Sequence, residues 1–424
     1  MNASIRWIYP IVSPFFLTLL TSCSPRPQEP PTALPPTATG SLLPVSEEQE
    51  PTNRGARTNL TDTCVDEFDA NIDYFPDKIA LTYASGFSVE YFKSYKLLTV
   101  LTPYQGAVET FRYVLVQCGT PLPAGITNAQ VIEVPVSSIV SMSSRYLPLI
   151  GALGLYRKLV GVDDFNGIYD PMVVQMTKDR ELVAVGLGAE VNIEQVIELS
   201  PDLVMTYAGR QVQFNAHPKL LEVGIRVAIN AEYMENSPLG RAEWIKYVAL
   251  FFNEEASAQR EFDETAIRYA EVSNLAREAL HNPTTFWGVP GKDTWYVPGG
   301  ASYISTLLAD AGADYLWRDD VSLGNVPLAF EAVFDRAAAA DVWLAADGYP
   351  SMAEMLTADS RLAGFAAVKN DGVWSNDARV NDSGGNDYWE GGLANPDEVL
   401  SDLIAIFHPE LMPDHQLKYW RKLK

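Results

Sequence analysis

The chain has 424 residues, which is longer than a single hydrophobic core normally serves, and this length predicts two lobes. Its composition, with 47% hydrophobic and 20% charged residues, is typical of a globular protein. The formal net charge of -23 argues against nucleic acid as a partner, because phosphate groups would be repelled.

The first 22 residues form a predicted export signal. One cation, Arg6, precedes an apolar stretch over residues 11–20, which is too short and too interrupted by Pro14 to span a membrane. The stretch leads to Cys23, and residues 20–23 resemble the bacterial lipobox, in which the cysteine receives a diglyceride and becomes the first residue of the mature chain. We therefore expect Cys23 to anchor the protein at the periplasmic or extracellular face of a bacterial cell membrane. An ordinary signal followed by a chance cysteine is the alternative.

Two further cysteines, Cys64 and Cys118, complete the three in the chain. Export to an oxidising compartment favours a disulfide between them, and two separate buried thiols are the alternative. Residues 23–60 are rich in Pro, Thr and Glu and lack apolar periodicity, which predicts a flexible tether between the anchor and the folded part.

The folded part begins with an N-terminal lobe, which we assign to residues 61–237. Runs of β-branched and aromatic residues predict three strands in its first part, at 79–83, 95–101 and 110–116. After residue 129 the pattern changes to strands that alternate with helices. These strands are expected at 131–135, 139–141, 159–162 and 202–207, and the helices at 145–159 and 193–199. Such alternation predicts a parallel α/β sheet.

Residues 238–280 are predicted to form one long linker helix. Ser237 and Pro238 make a favourable helix start, and apolar side chains then recur at helical spacing without a break. The β/α alternation resumes afterwards, which assigns residues 281–424 to a C-terminal lobe.

The second half of the chain repeats the first in the order of its segments. Residues 144–154 are echoed by 301–312, and residues 192–205 are echoed by 329–344. Two copies of one β/α unit joined by a long helix predict a bilobed protein with a cleft. Shared helix-start and strand-start chemistry is the alternative explanation of the echo.

Several short motifs, taken in order, resemble a known family. They include a Ser-rich loop after a short strand, and they stand at residues 141–144, 153–154, 159–163, 192–194, 200–204, 295–300, 311–313, 340–342 and 367–374. Their order is similar to that of the periplasmic binding proteins that serve ABC importers of ferric siderophores, haem and vitamin B12. The resemblance implies an α/β fold of two Rossmann-like lobes, bridged by a single long α-helix, with a ligand cleft between them. It also implies a substrate-binding protein that captures a small molecule and hands it to a membrane permease.

A ligand site is expected where the loops after the strands face the cleft. An iron chelate presents flat faces and anionic oxygens, which suit aromatic rings and guanidinium groups. The candidates, in order, are Arg145, Tyr388 and Trp389, then Trp287, Tyr303 and Arg210. For an arginine the alternative is a surface ion pair, and for an aromatic residue it is a place in the core. The two arginines favour an anionic ferric chelate, with haem and cobalamin as the alternatives.

Glu194 and Glu331 occupy equivalent places in the repeat. The resemblance implies that one acid on each lobe pairs with an arginine of the permease, so both are candidates for permease docking. Acids in the first turn of a helix also favour the helix dipole, and this is the alternative.

The sequence carries no enzymatic motif of the common types. It has no G-x-S-x-G, H-E-x-x-H or P-loop pattern, and its four histidines supply neither a catalytic triad nor a metal site well. We therefore expect a monomer with no catalytic residues, no directly bound metal and no cofactor. A lipid-anchored hydrolase and a purely structural envelope lipoprotein are the alternatives from other classes.

Overall fold

The structure is a computed structural model that describes residues 57–292 and 294–424. The predicted signal peptide, Cys23 and the tether up to residue 56 lie outside the described residues. Over the ranges that the structure describes, no helix combines the length and the apolar character needed to cross a membrane.

A four-stranded sheet opens the described chain. Its strands are β1 (Phe87–Tyr91), β2 (Tyr95–Val100), β3 (Phe111–Gln117) and β4 (Gln130–Val134). They lie side by side in chain order; β1, β2 and β3 are antiparallel, whereas β4 runs parallel to β3. Buried and partly exposed residues alternate along β2, as in a strand with one face on the core. The strands β2, β3 and β4 correspond to three of the predicted strands.

The strand predicted at 79–83 is wrong. The N–H groups of Thr82, Tyr83 and Ala84 donate to the Glu243 carboxylate over 2.6 to 3.2 Å, and not to a neighbouring strand. The β-branched and aromatic residues that suggested a strand instead lie along the helical segment that carries Glu243. A single buried carboxylate takes the place of a strand partner for these donors.

The N-terminal lobe contains a second sheet, made of five parallel strands. The strands are β5 (Ile139–Ser141), β6 (Leu159–Val162), β7 (Val183–Ala184), β8 (Leu203–Thr206) and β9 (Val227–Ile229). The helices are α1 (Leu147–Ala152), α2 (Pro171–Lys178), α3 (Ile193–Leu199) and α4 (His217–Glu222). The strand order is β7-β6-β5-β8-β9, which confirms the predicted parallel α/β sheet. The helix predicted over 145–159 is shorter, because Gly154 turns the chain out of it with a φ of +71°.

Three helices connect the lobes: α5 (Pro238–Ala242), α6 (Trp244–Leu250) and α7 (Glu255–Ala276). The long bridging helix is confirmed in the 22 residues of α7, but the unbroken helix predicted over 238–280 is wrong. One break falls at Asn253, whose φ is +60° and whose side-chain amide donates to the Leu60 carbonyl and to the Gln117 side chain. The hydrophobic core runs through the fully buried α6 from one lobe to the other.

In its described residues, the C-terminal lobe has a five-stranded sheet, a separate pair of strands and six α-helices. The strands are β10 (Thr284–Trp287), β11 (Trp295–Pro298), β12 (Asp314–Tyr315), β13 (Asn325–Leu328), β14 (Val342–Leu344), β15 (Val373–Ser375) and β16 (Arg421–Lys422). The helices are α8 (Tyr303–Asp310), α9 (Phe330–Ala337), α10 (Met352–Ala358), α11 (Ala366–Lys369), α12 (Gly391–Ala394) and α13 (Pro396–Phe407). The sheet order is β12-β10-β14-β15-β16, with β16 antiparallel to its neighbour, and β11 pairs with β13 separately.

The two lobes have similar topologies. In each lobe the first strand of the sheet has a neighbour on both sides: β5 pairs with β6 and β8, and β10 pairs with β12 and β14. Asp202 accepts from the N–H groups of Ser137 and Ser138 before β5, and Asp341 accepts from the N–H of Thr284 at the start of β10. The same carboxylate-to-backbone contact in both lobes supports the repeat predicted from the sequence.

The four-stranded sheet is fixed to the parallel sheet of the N-terminal lobe through β9. The side-chain amide of Gln130 donates to the Val227 carbonyl and accepts from the Val227 N–H, each at 2.7 Å. The Tyr113 hydroxyl accepts from the N–H of Ile229 at 2.9 Å. Side chains of the first sheet therefore satisfy the outward backbone groups of the edge strand β9.

The first described residues are tied to the start of α7. Asn59, which the predicted boundary leaves in the tether, is 6% exposed and donates to the Glu255 carboxylate at 2.7 Å. The same carboxylate accepts from the buried ammonium group of Lys96 at 2.7 Å. The predicted disulfide is present, and it joins Cys64 to Cys118 at the end of β3. The folded part consequently begins slightly earlier than residue 61.

Candidate functional site

Two adjoining cavities lie between the lobes, at the carboxyl ends of the parallel strands. The larger one has a volume of about 410 Å³ and the smaller one about 320 Å³. Tyr233 and Tyr303 line both cavities, so that together they form one cleft. We call them the Arg145 cavity and the Arg210 cavity after the arginine in the wall of each.

Five of the six predicted ligand-binding residues line this cleft. Arg145, Trp287, Tyr303 and Trp389 face the Arg145 cavity, and Arg210 faces the Arg210 cavity. Residues that are far apart in the sequence and belong to different lobes are thus brought together at one place.

Arg145 follows β5 and lies in a three-residue 3-10 helix, Ser144–Tyr146, that leads into α1. The Ser143 hydroxyl accepts from the N–H of Arg145, which caps this turn. The Arg145 side chain is exposed, and its guanidinium carbon lies 6.0 Å from the centre of the Trp389 ring. Within the described residues, neither Arg145 nor Arg210 takes part in an ion pair. Both cations are therefore available to an anionic ligand.

Trp389 is oriented by an acid from another loop of the C-terminal lobe. Its indole Nε1 donates to Asp347 Oδ1 at 2.7 Å, and the N–H of Asp347 in turn donates to the Asn376 side chain at 2.8 Å. Burial raises the pKa of the Asp347 carboxyl, although the hydrogen bond from Trp389 and the charge of Arg145 act against this. The indole ring is thereby held as a fixed wall of the cavity.

A buried ion pair lies against the ring of Tyr303. Arg241, in α5, donates from Nε and Nη2 to the Glu232 carboxylate at 2.9 and 2.6 Å. Its guanidinium carbon lies 4.2 Å from the centre of the Tyr303 ring. Burial by itself would lower the pKa of Arg241, but the Glu232 and Tyr303 contacts raise it, so that the guanidinium stays charged. Because Glu232 neutralises this charge, Arg241 attracts an anionic ligand less strongly than Arg145 does.

Tyr388, which the prediction ranked among the first candidates, lies in the core behind the cleft and lines neither of its two cavities; it borders a smaller cavity together with Tyr303 and Trp389. It is 5% exposed, and its ring packs edge-on against Trp389, with 4.8 Å between ring centres, and against Trp420 at 5.5 Å. The polar, Gly-rich run around it suggested an exposed position, but the 3-10 helix Asp387–Trp389 turns this side chain inward. Tyr388 supports Trp389 from behind.

The loop that carries Trp389 also contacts the N-terminal lobe. The Asn381 side chain donates to the Ile168 carbonyl at 2.7 Å. The Glu390 carboxylate accepts from the N–H groups of Tyr169 and Asp170 at 2.8 and 3.0 Å. Burial raises the pKa of the Glu390 carboxyl to about 7, against the effect of these two donors. One loop therefore joins the two lobes beside the cleft.

Sequence reasoning missed several side chains of the cleft, namely Tyr104, Gln105, Tyr233, Arg241 and Asp347. Tyr233 and Asp347 follow β9 and β14, and a position just after a parallel strand was a usable signal for both. Arg241 was assigned to the linker helix. Tyr104 and Gln105 gave no signal, because their loop joins two antiparallel strands outside the repeated unit.

Glu194 and Glu331 stand in the first turns of α3 and α9, which are equivalent helices of the two lobes. Both side chains are exposed. A guanidinium nitrogen of Arg361 lies 3.6 Å from the Glu331 carboxylate. The equivalence of the two positions, predicted from the repeat, is present in the structure.

Two α/β lobes of similar topology, with an aromatic cleft between them, define a two-lobed solute-binding protein. The family model of the periplasmic binding proteins matches residues 139–380, and the chain belongs to this family. Its members act on the outer side of the cell membrane, where they bind small molecules and deliver them to ABC permeases. They are solute-binding proteins and not enzymes, so the alternative of a lipid-anchored hydrolase is wrong.

Two similar proteins are uncharacterized lipoproteins of Methanocaldococcus jannaschii. One is 29% identical over 304 residues, which are 70% of this chain and 70% of that protein. The other is 26% identical over 327 residues, which are 74% of this chain and 80% of that protein. The similarity extends beyond the region of the family model.

Three solved structures share the fold. A possible iron-binding, periplasmic solute-binding protein of Staphylococcus epidermidis is 21% identical with a TM-score of 0.51, over 65% of this chain and 99% of that one. A periplasmic binding protein of Veillonella parvula is 16% identical with a TM-score of 0.51, over 77% and 99%. A protein of an ABC-type Fe3+-hydroxamate transport system of Saccharomonospora viridis is 18% identical with a TM-score of 0.50, over 65% and 94%.

Proposed function

We propose that the protein binds an anionic ferric siderophore-type chelate in the cleft and hands it to an ABC permease. The observation that carries this proposal is Arg145, a cation without an acidic partner among the described residues, whose guanidinium carbon lies 6.0 Å from the centre of the Trp389 ring. A guanidinium binds carboxylate or hydroxamate oxygens with charge-assisted hydrogen bonds, and an indole face stacks on the flat part of a ligand. The two side chains together match the chemistry of such a chelate.

The rest of the cleft fits the same ligand. Trp287 and Tyr303 add aromatic wall, and Arg210 adds a second cation. Asp347, the acid of the Arg145 cavity, accepts a hydrogen bond from Trp389, and burial raises the pKa of its carboxyl. It therefore repels an anionic ligand less than a free carboxylate would. Cavities of about 410 and 320 Å³ lie within the range common for small-molecule sites.

Iron would enter this site within its chelate. In the described part of the chain, no group of three or more His, Cys, Asp or Glu side chains is placed to hold a metal ion. The solved structures of the same fold include a possible iron-binding protein and a component of a ferric hydroxamate transport system, which supports a ferric ligand for this chain.

The same proposal includes an anchor and a docking surface. A diglyceride and a further acyl chain on Cys23 would hold the protein at the membrane, which keeps a monomer near its permease. Glu194 and Glu331, exposed at equivalent places on the two lobes, would each pair with a cation of the permease. A symmetric pair of acids suits a transporter with two-fold symmetry.

The ligand is tested by titration of the purified full-length chain with ferric citrate, a ferric hydroxamate, haem and cobalamin. Binding is followed by quenching of the nine tryptophans, several of which line or support the cleft. We expect micromolar or tighter binding of at least one ferric chelate. Binding of haem or cobalamin in preference to both ferric chelates would show that the ligand belongs to another class. Absence of binding to all four compounds would contradict the proposed ligand class.

A further inference from the structure

We propose that the loop between β2 and β3, residues 101–110, is a third wall of the ligand cleft and selects ligands that extend from the Arg145 cavity into the Arg210 cavity. The inference rests on the proposed function, because it concerns the same cleft. The family model starts at residue 139, so this loop lies outside the region that the family shares. The loop would therefore let this chain discriminate between ligands in a way that the two lobes alone do not.

The loop is placed by a sheet that is attached at two ends. Gln130 and Tyr113 bind the backbone of β9 with hydrogen bonds of 2.7 and 2.9 Å. On the other side, the Lys96 ammonium is fully buried and donates to Glu255 at the start of α7. With attachments to both the N-terminal lobe and the bridging helix, the sheet holds its β2–β3 loop in a fixed position relative to the cleft.

The loop reaches the cleft at Pro103, Tyr104 and Gln105. The buried Pro103 has its carbonyl oxygen 3.1 Å from the Tyr233 hydroxyl, which belongs to the wall shared by both cavities. A turn follows, in which the N–H of Ala107 donates to the Tyr104 carbonyl and Gly106 has a φ of +79°. The tight turn presents the side chains of Tyr104 and Gln105 to the Arg210 cavity.

On the opposite side of the Arg210 cavity stands the C-terminal lobe, with Leu323 and Gly324. A Cβ atom built on Gly324 would lie 3.9 Å from Gln105 Oε1. The N-terminal sheet thus meets the C-terminal lobe across the mouth of the cleft, and the loop closes a side that the lobes leave open.

The chemistry of this compartment defines what it would accept. Tyr104, Tyr233 and Tyr303 supply aromatic faces, and Arg210 supplies an exposed cation without an acidic partner in the described ranges. A ligand arm with a flat or aliphatic body and a terminal anion fits these groups. A compact chelate would fill the Arg145 cavity alone, whereas a bulky one would reach the loop.

The test uses the full-length chain and the same four probes. In the Tyr104→Ala/Gln105→Ala double variant we expect the affinity for the tightest bulky probe to fall about tenfold or more, which corresponds to roughly 1.4 kcal/mol. Val108→Ala is the matched control, because Val108 belongs to the same loop but is 97% exposed. Wild-type affinity of the double variant for every bulky probe that the wild type binds would overturn the proposal, and so would binding of compact ferric citrate alone by the wild type.

A second measurement does not depend on the ligand. A Gln105→Cys/Gly324→Cys pair should crosslink under mild oxidation or with a short bifunctional reagent, whereas a Val108→Cys/Gly324→Cys pair should not, with the wild type as the background. Equal crosslinking of the two pairs would overturn the placement of the loop. If the wild type binds none of the probes, the proposed function fails, and the crosslink still decides whether the loop forms a wall of the cleft.

Discussion

Arg241 of the connecting helix α5 and Glu232 of the N-terminal lobe form an ion pair, with both side chains buried and a shortest nitrogen–oxygen distance of 2.6 Å. The guanidinium is further covered by the ring of Tyr303. Because the charge of Arg241 is satisfied within the protein, the Arg145 cavity contains a compensated arginine, Arg241, beside Arg145, which has no ion-pair partner among the described residues. This difference leads to opposite expectations for the two residues.

Removal of the acid from the buried pair should destabilise the fold. In Glu232→Gln, the Arg241 guanidinium loses its counter-charge while it stays buried, which typically costs about 3–5 kcal/mol. The measurement is the free energy of unfolding in urea. Glu222→Gln, at an exposed position of α4, is the control and should change stability by less than about 0.5 kcal/mol. Equal stability of the two variants would show that the pair contributes nothing.

Removal of the free cation should affect the ligand and not the fold. Arg145→Gln keeps a polar side chain but loses the charge, and we expect the affinity for an anionic ferric chelate to fall about tenfold or more, the equivalent of a charge-assisted hydrogen bond of roughly 1.5–3 kcal/mol. The dissociation constant from tryptophan quenching measures this. Arg157→Gln, an exposed arginine of the same lobe outside the cleft, should bind as the wild type does. Similar losses in both variants would point to net charge as the cause and not to the site.

The contact of Glu390 with the N-terminal lobe should make stability depend on pH. Burial raises the pKa of this carboxyl from 4.5 to about 7, so the folded protein retains a proton that the unfolded chain has released. The stability from this proton is fully present below about pH 4.5 and is lost as the pH rises through about 7. The Gln side chain of Glu390→Gln has no charge at any pH. The free energy of unfolding of this variant should therefore fall less than that of the wild type between pH 4.5 and 7, by on the order of 2–3 kcal/mol.

Thermal unfolding of wild type and Glu390→Gln, followed at several pH values across this window, measures the effect. Glu331→Gln is the control, because that carboxyl is exposed and should leave the pH dependence of the wild type unchanged. Parallel curves for wild type and Glu390→Gln would contradict the prediction.

Charge reversal at both docking candidates should stop delivery without affecting capture. In the Glu194→Arg/Glu331→Arg double variant we expect uptake of the ferric chelate through the cognate permease to fall roughly tenfold or more, since like charges would then meet at the contact. The affinity of the purified protein for the chelate should stay the same. Glu198→Arg, exposed on the same helix as Glu194, is the control. Undiminished uptake by the double variant would remove both residues from the docking surface.

The sequence predicted those features that depend on local patterns. The strands β5 and β8 are short apolar runs buried along their whole length, and the repeat reproduces the same runs in the second lobe. The break at Asn253 was missed because Phe251 and Phe252 stay buried through it, so the apolar spacing gives no sign of the turn.

The cleft was predictable in part for a similar reason. Arg145 and Trp287 lie at strand ends, where a position in the sequence implies a position at the cleft. Tyr388 and Trp389 are neighbours in the chain, yet a 3-10 turn sends one inward and the other to the cleft wall, which composition cannot distinguish. Tyr104 and Gln105 come to the cleft only through the packing of a separate sheet on β9.

The contact of the Gln130 side-chain amide with the backbone of β9 has a consequence for the protein in a crowded environment. A parallel sheet that ends in a bare strand offers its open hydrogen-bonding groups to any extended segment of another chain, and this is a common start of aggregation. Here one amide and the Tyr113 hydroxyl occupy those groups in the N-terminal lobe, and β16, built from the last residues of the chain, covers the corresponding side in the C-terminal lobe. Segments outside the repeated unit thereby cover one side of each parallel sheet.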